Sequence, residues 1–240
     1  MEPPILRVSL IAPTYNEREN IPLLAEEVFE IVGAAPDIDL EIIVVDDNSP
    51  DGTGQVAEDL AARYPLRVVH RAGKLGLGSA VMAGFARSDR PYLGVIDADL
   101  SHDPAILPQL IHGLRDHDLT MGSRFGRTSR VEKWALHRKL VSLVGVTAAR
   151  LLTGAEDPLS GYFFLRREVV TGLQLTSAGY KILFEILVKG RYASHTSIPF
   201  VFRNRQFSRS KLNWHEHLLF AKQVLVFGWY RLRGGTPGRR

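Results

Sequence analysis

Residues 92–99 read Tyr-Leu-Gly-Val-Ile-Asp-Ala-Asp, a short apolar run with β-branched members that ends on two carboxylates, Asp97 and Asp99. This pattern predicts a buried strand, residues 92–96, with both acids just beyond its carboxyl end. In open parallel sheets, ligands bind beyond the carboxyl ends of the strands. Two carboxylates there can hold one Mg²⁺ or Mn²⁺ ion, whose other ligands are water and substrate phosphates. The alternative is that Asp99 only starts the turn before a helix that follows Pro104.

The chain on either side of this strand alternates between apolar runs and amphipathic segments. The first predicted strands lie at 6–12, 40–45, 66–70 and 119–122, and the first predicted helices at 21–32, 53–64, 78–87 and 104–114. Such alternation predicts an α/β fold with a mostly parallel sheet, right-handed crossovers and helices on both faces. After residue 122 the alternation stops. The later predicted elements are helices at 134–152, 168–173, 181–191 and 214–232 and strands at 163–165 and 196–202.

The composition is that of a globular domain. The chain has 240 residues, of which 45% are hydrophobic and 23% charged, values that are ordinary for a soluble protein. No segment approaches the roughly 20 apolar residues of a membrane span, and the first residues lack the basic and apolar regions of a signal peptide. The absence of cysteine excludes disulfides and thiolate metal sites. We therefore expect a cytoplasmic protein with one domain at residues 1–212 and a tail at residues 213–240.

The tail is basic and apolar. After position 200, nine arginines and lysines face a single acid, Glu216, which predicts an anionic partner such as phosphates, nucleic acid or a membrane surface. The helix predicted at 214–232 is apolar nearly all round, so it must be buried against something. It could be buried against a membrane surface, the preceding domain or a partner chain.

Two further strand ends carry polar residues. The first strand is followed by Pro-Thr-Tyr-Asn-Glu at residues 13–17, and the second ends on Asp46 and Asp47. A nucleotide base could stack on Tyr15 while a carboxylate accepts its N–H groups. A plain turn explains either end alone. Together with the end that carries Asp97 and Asp99, however, three such ends at one sheet edge are hard to ascribe to helix capping. The sequence therefore predicts a nucleotide site at this edge.

The glycine-rich residues 73–78 suggest a phosphate loop but lack the spacing of a Walker or dinucleotide-binding motif. We interpret them as a connection whose glycines admit a ligand, with Lys74 near a phosphate. His102 lies beside the acidic pair and could hold these carboxylates in place without itself binding the metal. His215 and His217 have no acidic partners at metal-ligand spacing, so a zinc site is not predicted.

Four motifs, at residues 13–17, 45–53, 73–78 and 97–99, resemble in this order those of family 2 glycosyltransferases of the GT-A type. Within that family, four more are similar to the polyprenol (dolichol) phosphate mannosyltransferases: residues 122–124, 157–163, 179–183 and 210–212. The resemblance covers residues 6–212. It implies a GT-A fold, a Rossmann-like mostly parallel sheet flanked by helices. The pattern at residues 214–232 adds a C-terminal amphipathic helix to this fold.

The resemblance also implies roles for single residues. The nucleotide would be held by Pro13, Tyr15, Glu17, Val45 and Asp47, and its diphosphate and metal by Asp97, Ala98 and Asp99. The sugar, donor phosphate or acceptor phosphate would contact Arg124, Arg138, Lys181, Arg205 and Lys211. Similar transferases often carry glutamine as a further metal ligand where Ser101 stands, so the Ser101 hydroxyl, a water or His102 would replace it. Catalysis would then depend on Asp97, Asp99, Arg124 and Arg138.

The implied activity is inverting transfer of a hexose, mannose from GDP-mannose, to the phosphate of a polyprenyl lipid. A polyprenol-phosphate glucosyltransferase using UDP-glucose and a catalytically silent sugar-nucleotide-binding subunit are the alternatives. We expect the protein to lie peripherally on the cytoplasmic face of a membrane. A membrane partner subunit is a further possible partner. Nucleic acid is not an expected partner.

Overall fold

In the computed structural model, the described residues are 4–125, 130–131, 146–175, 181–203 and 214–233. The strands are β1 (Leu6–Thr14), β2 (Ile38–Asp46), β3 (Leu66–His70), β4 (Tyr92–Val95), β5 (Leu119–Ser123), β6 (Arg130–Val131), β7 (Phe163–Arg166), β8 (His195–Pro199) and β9 (Val201–Phe202). The helices are α1 (Asn20–Gly33), α2 (Thr53–Leu60), α3 (Leu77–Arg87), α4 (Leu107–His112), α5 (146–153), α6 (Ile182–Lys189) and α7 (Trp214–Leu232).

Seven strands form one sheet in the order β3-β2-β1-β4-β7-β5-β8. All neighbours pair in parallel except β7, which is antiparallel to both β4 and β5. The predicted mostly parallel sheet is thus confirmed. Because β7 runs against its neighbours, the loop before it enters at the edge where β4 and β5 end. The carboxyl ends of the parallel strands and residues 157–162 therefore share one edge.

Apolar layers cover the sheet on both faces. Along β1, Leu10 and Ala12 pack with α1, α2 and α4, whereas Ile11 points to the opposite layer with α3 and α6. This alternation follows from the period of two along a strand. The fully buried strands β1 and β2 read as continuous apolar runs for the same reason.

Three predicted elements differ from the structure. The single strand predicted at 196–202 is wrong, because the chain breaks at Phe200: β8 pairs with β5, whereas β9 pairs with β6 in a separate two-stranded sheet. The helix predicted at 168–173 is only a 3-10 turn, Arg167–Val169, followed by Gly172 at a φ of 74°. Of the helix predicted at 134–152, residues 146–152 are helical, and residues 134–145 lie outside the described residues.

The terminal helix α7 has two different apolar faces. Phe220, Val224 and Phe227 belong to a cluster with α5 and α6, in which the Phe227 ring lies 5.1 Å from that of Phe184. The helix thus packs on the α/β domain, which is one of the three predicted places. Its other face leaves Leu225, Trp229 and Leu232, among others, exposed. No helix in the described part of the chain is long and apolar enough to span a bilayer.

Candidate active site

The two predicted metal-binding acids lie in a tight turn after β4, here called the carboxylate loop (residues 97–101). Asp99 is buried, and its Oδ1 accepts hydrogen bonds from the Ser101 N–H at 3.1 Å and the Ser101 hydroxyl at 2.6 Å. Leu100 between them has a φ of 60°, in the left-handed region that is strained for a leucine. Ser101 therefore supports Asp99 in this structure, and its place in a metal shell stays a prediction.

His102 follows this loop and is buried beneath it. Its Nδ1 accepts the backbone N–H of Asp97 at 3.2 Å, so Nδ1 carries a lone pair. Burial lowers the pKa of His102 below its ordinary value, against the opposing effect of Asp97 and Asp99. The ring is therefore neutral, with its proton on Nε2. In this structure the N–H of Asp97 uses the Nδ1 lone pair, and the place of His102 in a metal shell stays a prediction.

The predicted base-binding residues gather at the ends of β1 and β2. The Lys74 Nζ lies 4.6 Å from the centre of the Tyr15 ring, a cation–π distance. Asp47 accepts from the Arg71 guanidinium at 2.6 Å and from the Leu75 N–H at 3.1 Å. These contacts fix the glycine-rich loop against both strand ends. The ends themselves are joined by a hydrogen bond from the Asp47 N–H to the Thr14 carbonyl.

The other residues predicted to hold the nucleotide and its diphosphate lie at or near the ends of β1, β2 and β4. Pro13 and Val45 are partners in the β1–β2 register, and Glu17 accepts a hydrogen bond from the Asn20 side chain at 2.6 Å. Ala98 is buried within the carboxylate loop. The structure therefore assembles the nucleotide-side residues named from the sequence at one edge.

The basic side of the edge is built on one buried ion pair. Arg124 donates to Asp157 from Nε at 2.7 Å, from Nη2 at 2.8 Å and from its backbone N–H at 3.1 Å. The Asp157 side chain is 0% exposed and that of Arg124 12%. Although burial opposes both charges, the pKa of Asp157 is lowered by Arg124, and that of Arg124 is raised by Asp157 and, more weakly, by Asp97. Both groups are charged, and Arg124 lies within the field of the carboxylate loop.

Lys181 lies beside this pair, where its Nζ reaches the Leu159 carbonyl at 3.5 Å and its charge helps to lower the pKa of Asp157. The remaining predicted cations, Arg138, Arg205 and Lys211, lie outside the described residues. Their places in the site stay predictions.

The donor set suits a hard cation. Among the described residues, no group of three or more histidine and acidic side chains could hold a metal by itself. What the carboxylate loop offers is oxygen, from Asp97 and Asp99. Such a partial shell matches Mg²⁺ or Mn²⁺, which take one or two protein carboxylates and complete their coordination with water and phosphates.

Three structural partners at the site were not predicted from the sequence. Arg71 holds Asp47, Asp157 holds Arg124, and Gly161 lies against Asp97, so close that an added Cβ would be 3.1 and 3.2 Å from its carboxylate oxygens. Asp157 and Gly161 both lie in the 157–163 motif, but the motif does not show which side chain each of them contacts. The role of Arg71 depends on a contact across the sheet edge, which sequence spacing does not reveal.

An α/β sheet covered on both faces, with paired acids at its carboxyl edge, is typical of GT-A glycosyltransferases. The chain belongs to glycosyl transferase family 2, whose family model matches residues 9–173. The family predicted from the sequence motifs is thereby confirmed.

Three relatives have closely related names. A dolichol-phosphate mannosyltransferase of Pyrococcus furiosus is 43% identical over 86% of this chain, which spans 59% of that protein's length. A dolichol-phosphate mannosyltransferase of Saccharomyces cerevisiae is 34% identical over 92% of this chain and 88% of its own length. A polyprenol monophosphomannose synthase of Mycolicibacterium smegmatis is 37% identical over 88% of this chain and 82% of its own.

The fold also matches a solved structure. Glucosyl-3-phosphoglycerate synthase from Mycobacterium tuberculosis, crystallised with Mn²⁺, UDP and glucosyl-3-phosphoglycerate, superimposes with a TM-score of 0.66 over 94% of this chain and 80% of that chain. The two sequences are 22% identical. At that identity the likeness establishes the GT-A fold.

Proposed function

We propose that this protein transfers mannose from GDP-mannose to the phosphate of a polyprenyl lipid, with inversion at the anomeric carbon. The observation that carries the proposal is the meeting, at one sheet edge, of the carboxylate loop with the Arg124–Asp157 pair. The names of the three relatives, which span most of this chain, support the lipid-phosphate acceptor.

The chemistry explains this division into an acidic and a basic side. An oxygen of the lipid phosphate attacks the anomeric carbon, the bond from that carbon to the nucleotide diphosphate breaks, and the diphosphate leaves with the electron pair. A phosphate monoester already carries an anionic oxygen at neutral pH, so the attack needs no strong general base. The protein has to bring two anions together, which requires cations more than a proton acceptor.

Arg124 is the described cation best placed for this task. Nε and Nη2 are held by Asp157, which fixes the plane of the guanidinium and leaves Nη1 for a phosphate oxygen. Lys181, which lies beside the Arg124–Asp157 pair, would add a second positive charge for the phosphate. We assign Arg138, Arg205 and Lys211 to the sugar and phosphate contacts implied by the family motifs.

Asp97 and Asp99 would hold a Mg²⁺ or Mn²⁺ ion, which supplies Lewis-acid stabilisation of the negative charge on the leaving diphosphate. On the opposite side of the edge, the Tyr15 ring would stack on the base. Lys74, now 4.6 Å from that ring, would move toward the phosphates.

The test is transfer by the purified full chain, supplied with polyprenyl phosphate and either GDP-mannose or UDP-glucose, with Mn²⁺, Mg²⁺ or chelator. We expect metal-dependent formation of mannosyl lipid, abolished by Asp99→Ala and strongly reduced by Asp97→Ala. Asp59→Ala, which removes an exposed acid on α2, is the matched control and should leave transfer unchanged. Preference for UDP-glucose would favour the glucosyltransferase alternative. Binding of a sugar nucleotide without turnover would favour the silent subunit.

We propose further that the exposed face of α7 lies on the membrane that contains the lipid acceptor. Leu225 is 74% exposed, Trp229 59% and Leu232 84%, and their spacing places them on one side of the helix. Arg233 stacks on Trp229 with 4.7 Å from its guanidinium carbon to the ring centre. An apolar stripe with basic residues at its end is typical of interfacial helices.

Deleting the helix is a poor test of this membrane contact, because Phe227 is buried against the domain. Leu225→Ser combined with Trp229→Ser should instead weaken sedimentation with vesicles of mixed phosphatidylglycerol and phosphatidylcholine, at an unchanged melting temperature. Ile5→Ser, an equally exposed apolar site at the amino end of β1, should bind vesicles normally. Wild-type vesicle binding by the double variant would refute the proposed contact.

A further inference from the structure

The His102 ring is enclosed by aromatic side chains from two other segments of the chain. Ring centres lie 5.3 Å away in Tyr162, 5.6 Å in Phe200 and 5.7 Å in Phe202. His102 itself is 2% exposed. These rings restrict the orientation of His102 and come from the 157–162 loop, from the break at Phe200 and from β9.

Nδ1 of His102 accepts a backbone hydrogen bond at the point where the chain leaves its pairing with β1 of the sheet. The Ile96 N–H still donates to Ile11 of β1, at 3.1 Å. At Asp97 the chain leaves the sheet, and its N–H donates instead to Nδ1 of His102, at 3.2 Å. The Asp97 Oδ2 is 3.9 Å from the same nitrogen, too far for a hydrogen bond. His102 thus holds the backbone of Asp97 and leaves its carboxylate to other partners.

Two further contacts restrict the conformation of the carboxylate loop. An added Cβ at Gly161 would lie 3.1 and 3.2 Å from the Asp97 oxygens and 3.2 Å from His102 Cε1, so the Gly161 backbone lies against both residues. At the far end of the loop, the Ser101 carbonyl accepts the Arg203 N–H at 3.0 Å. Asp97 is therefore confined between Gly161 and the buried imidazole of His102.

We infer that His102 is a positioning residue for the sugar-transfer site. Its imidazole accepts the Asp97 N–H and so sets the conformation in which the carboxylate loop presents its acids to the donor diphosphate and a divalent ion. This inference rests on the proposed function. His102 acts through Asp97 and is not itself a ligand of substrate or metal.

Two substitutions separate the hydrogen bond from the packing. His102→Phe keeps a ring in the aromatic enclosure but places a C–H where Nδ1 accepts. His102→Asn loses the ring but brings a carbonyl oxygen close to the position of Nδ1. His112→Phe is the matched control, since His112 pairs with Asp37 at the amino end of β2, away from the site.

The readouts are the hydrogen-exchange rate of the Asp97 amide and Mn²⁺ binding in the presence of GDP, followed by electron spin resonance of free Mn²⁺. We expect His102→Phe to exchange at least tenfold faster and to bind Mn²⁺ about tenfold more weakly. His102→Asn should stay within about threefold of the wild type in both measurements. The control His112→Phe should give the wild-type values.

Wild-type exchange and affinity in His102→Phe would overturn the inference, as would equal losses in His102→Asn. If one variant does not fold, the other decides alone, and failure of both would make His102 a residue of the core. Amide exchange needs no metal. A wild-type protein that binds no Mn²⁺ would therefore count against the proposed function, while Asp97 exchange still decides the role of His102.

Discussion

Replacing Asp157 by asparagine should show how much the buried ion pair contributes to the fold. The change keeps the size of the side chain but leaves the guanidinium of Arg124 buried without its counter-ion. Breaking a buried pair from one side costs about 3–5 kcal/mol, and the amide oxygen can recover about 1 kcal/mol through one hydrogen bond, so we expect a loss of about 3 kcal/mol. For a chain of this size, that lowers the melting temperature by about 6–12 °C.

The pH dependence has a definite sign. Because the pKa of Asp157 is lower in the folded protein than the unperturbed 3.8, its stabilisation is complete above 3.8 and is lost as the pH falls through the folded pKa. The difference in free energy of unfolding between wild type and Asp157→Asn should be constant from about pH 5 to 8 and shrink below about pH 3.8. Urea unfolding across this range measures it.

The same variant should reduce the proposed mannosyl transfer at least about tenfold, because a guanidinium that Asp157 no longer holds would not present itself to a phosphate in one orientation. Glu58→Gln makes the same chemical change in the exposed pair with His70 and should cost under about 1 kcal/mol. A melting temperature within about 2 °C of wild type for Asp157→Asn, or a difference that persists undiminished at low pH, would refute the assignment of a buried, charged pair.

Two glycine substitutions test close approaches in the structure. Gly161→Ala places a methyl group against the Asp97 carboxylate, so kcat should fall while the melting temperature stays near that of wild type; an unchanged kcat would show that the loop tolerates displacement. Gly94→Ala places a methyl group in the Phe164 ring, its cross-strand partner in β7, and should destabilise the protein by about 1–3 kcal/mol in urea unfolding. Adding Phe164→Leu should recover part of that loss, and no recovery would mean that the strain lies elsewhere.

The parts of the fold that the sequence predicted are those with a strong local signal. The strands β1, β2 and β4 are apolar runs that end on acids or turn residues, and they lie where the pattern predicted. The insertion of β7 between β4 and β5 has no local signal, because the run at 163–165 would look the same in a parallel strand. The break at Phe200 was not predicted for a similar reason. Phe200 and Phe202 are typical strand residues in sequence, and only the structure shows that both rings pack on His102.

The candidate site divides in the same way. Asp97, Asp99 and Tyr15 follow strands directly, so the sequence placed them at one edge, although their roles stay predictions. Arg71 and Asp157 are defined by the charge each one faces, across 24 and 33 positions of sequence respectively. Such pairings belong to tertiary structure, and one sequence does not reveal them.

The position of β7 has a consequence for the order of folding. All the pairings among β1, β2, β3 and β4 lie within residues 6–95, because these strands follow one another closely along the chain. β5 has no neighbour among these four strands and joins the sheet only through β7, after residues 124–162 have been made and their loop closed. Distant pairings of this kind form late. We therefore expect the nucleotide side to be structured early on the ribosome, and the Arg124–Asp157 pair to mark the completion of the enzyme.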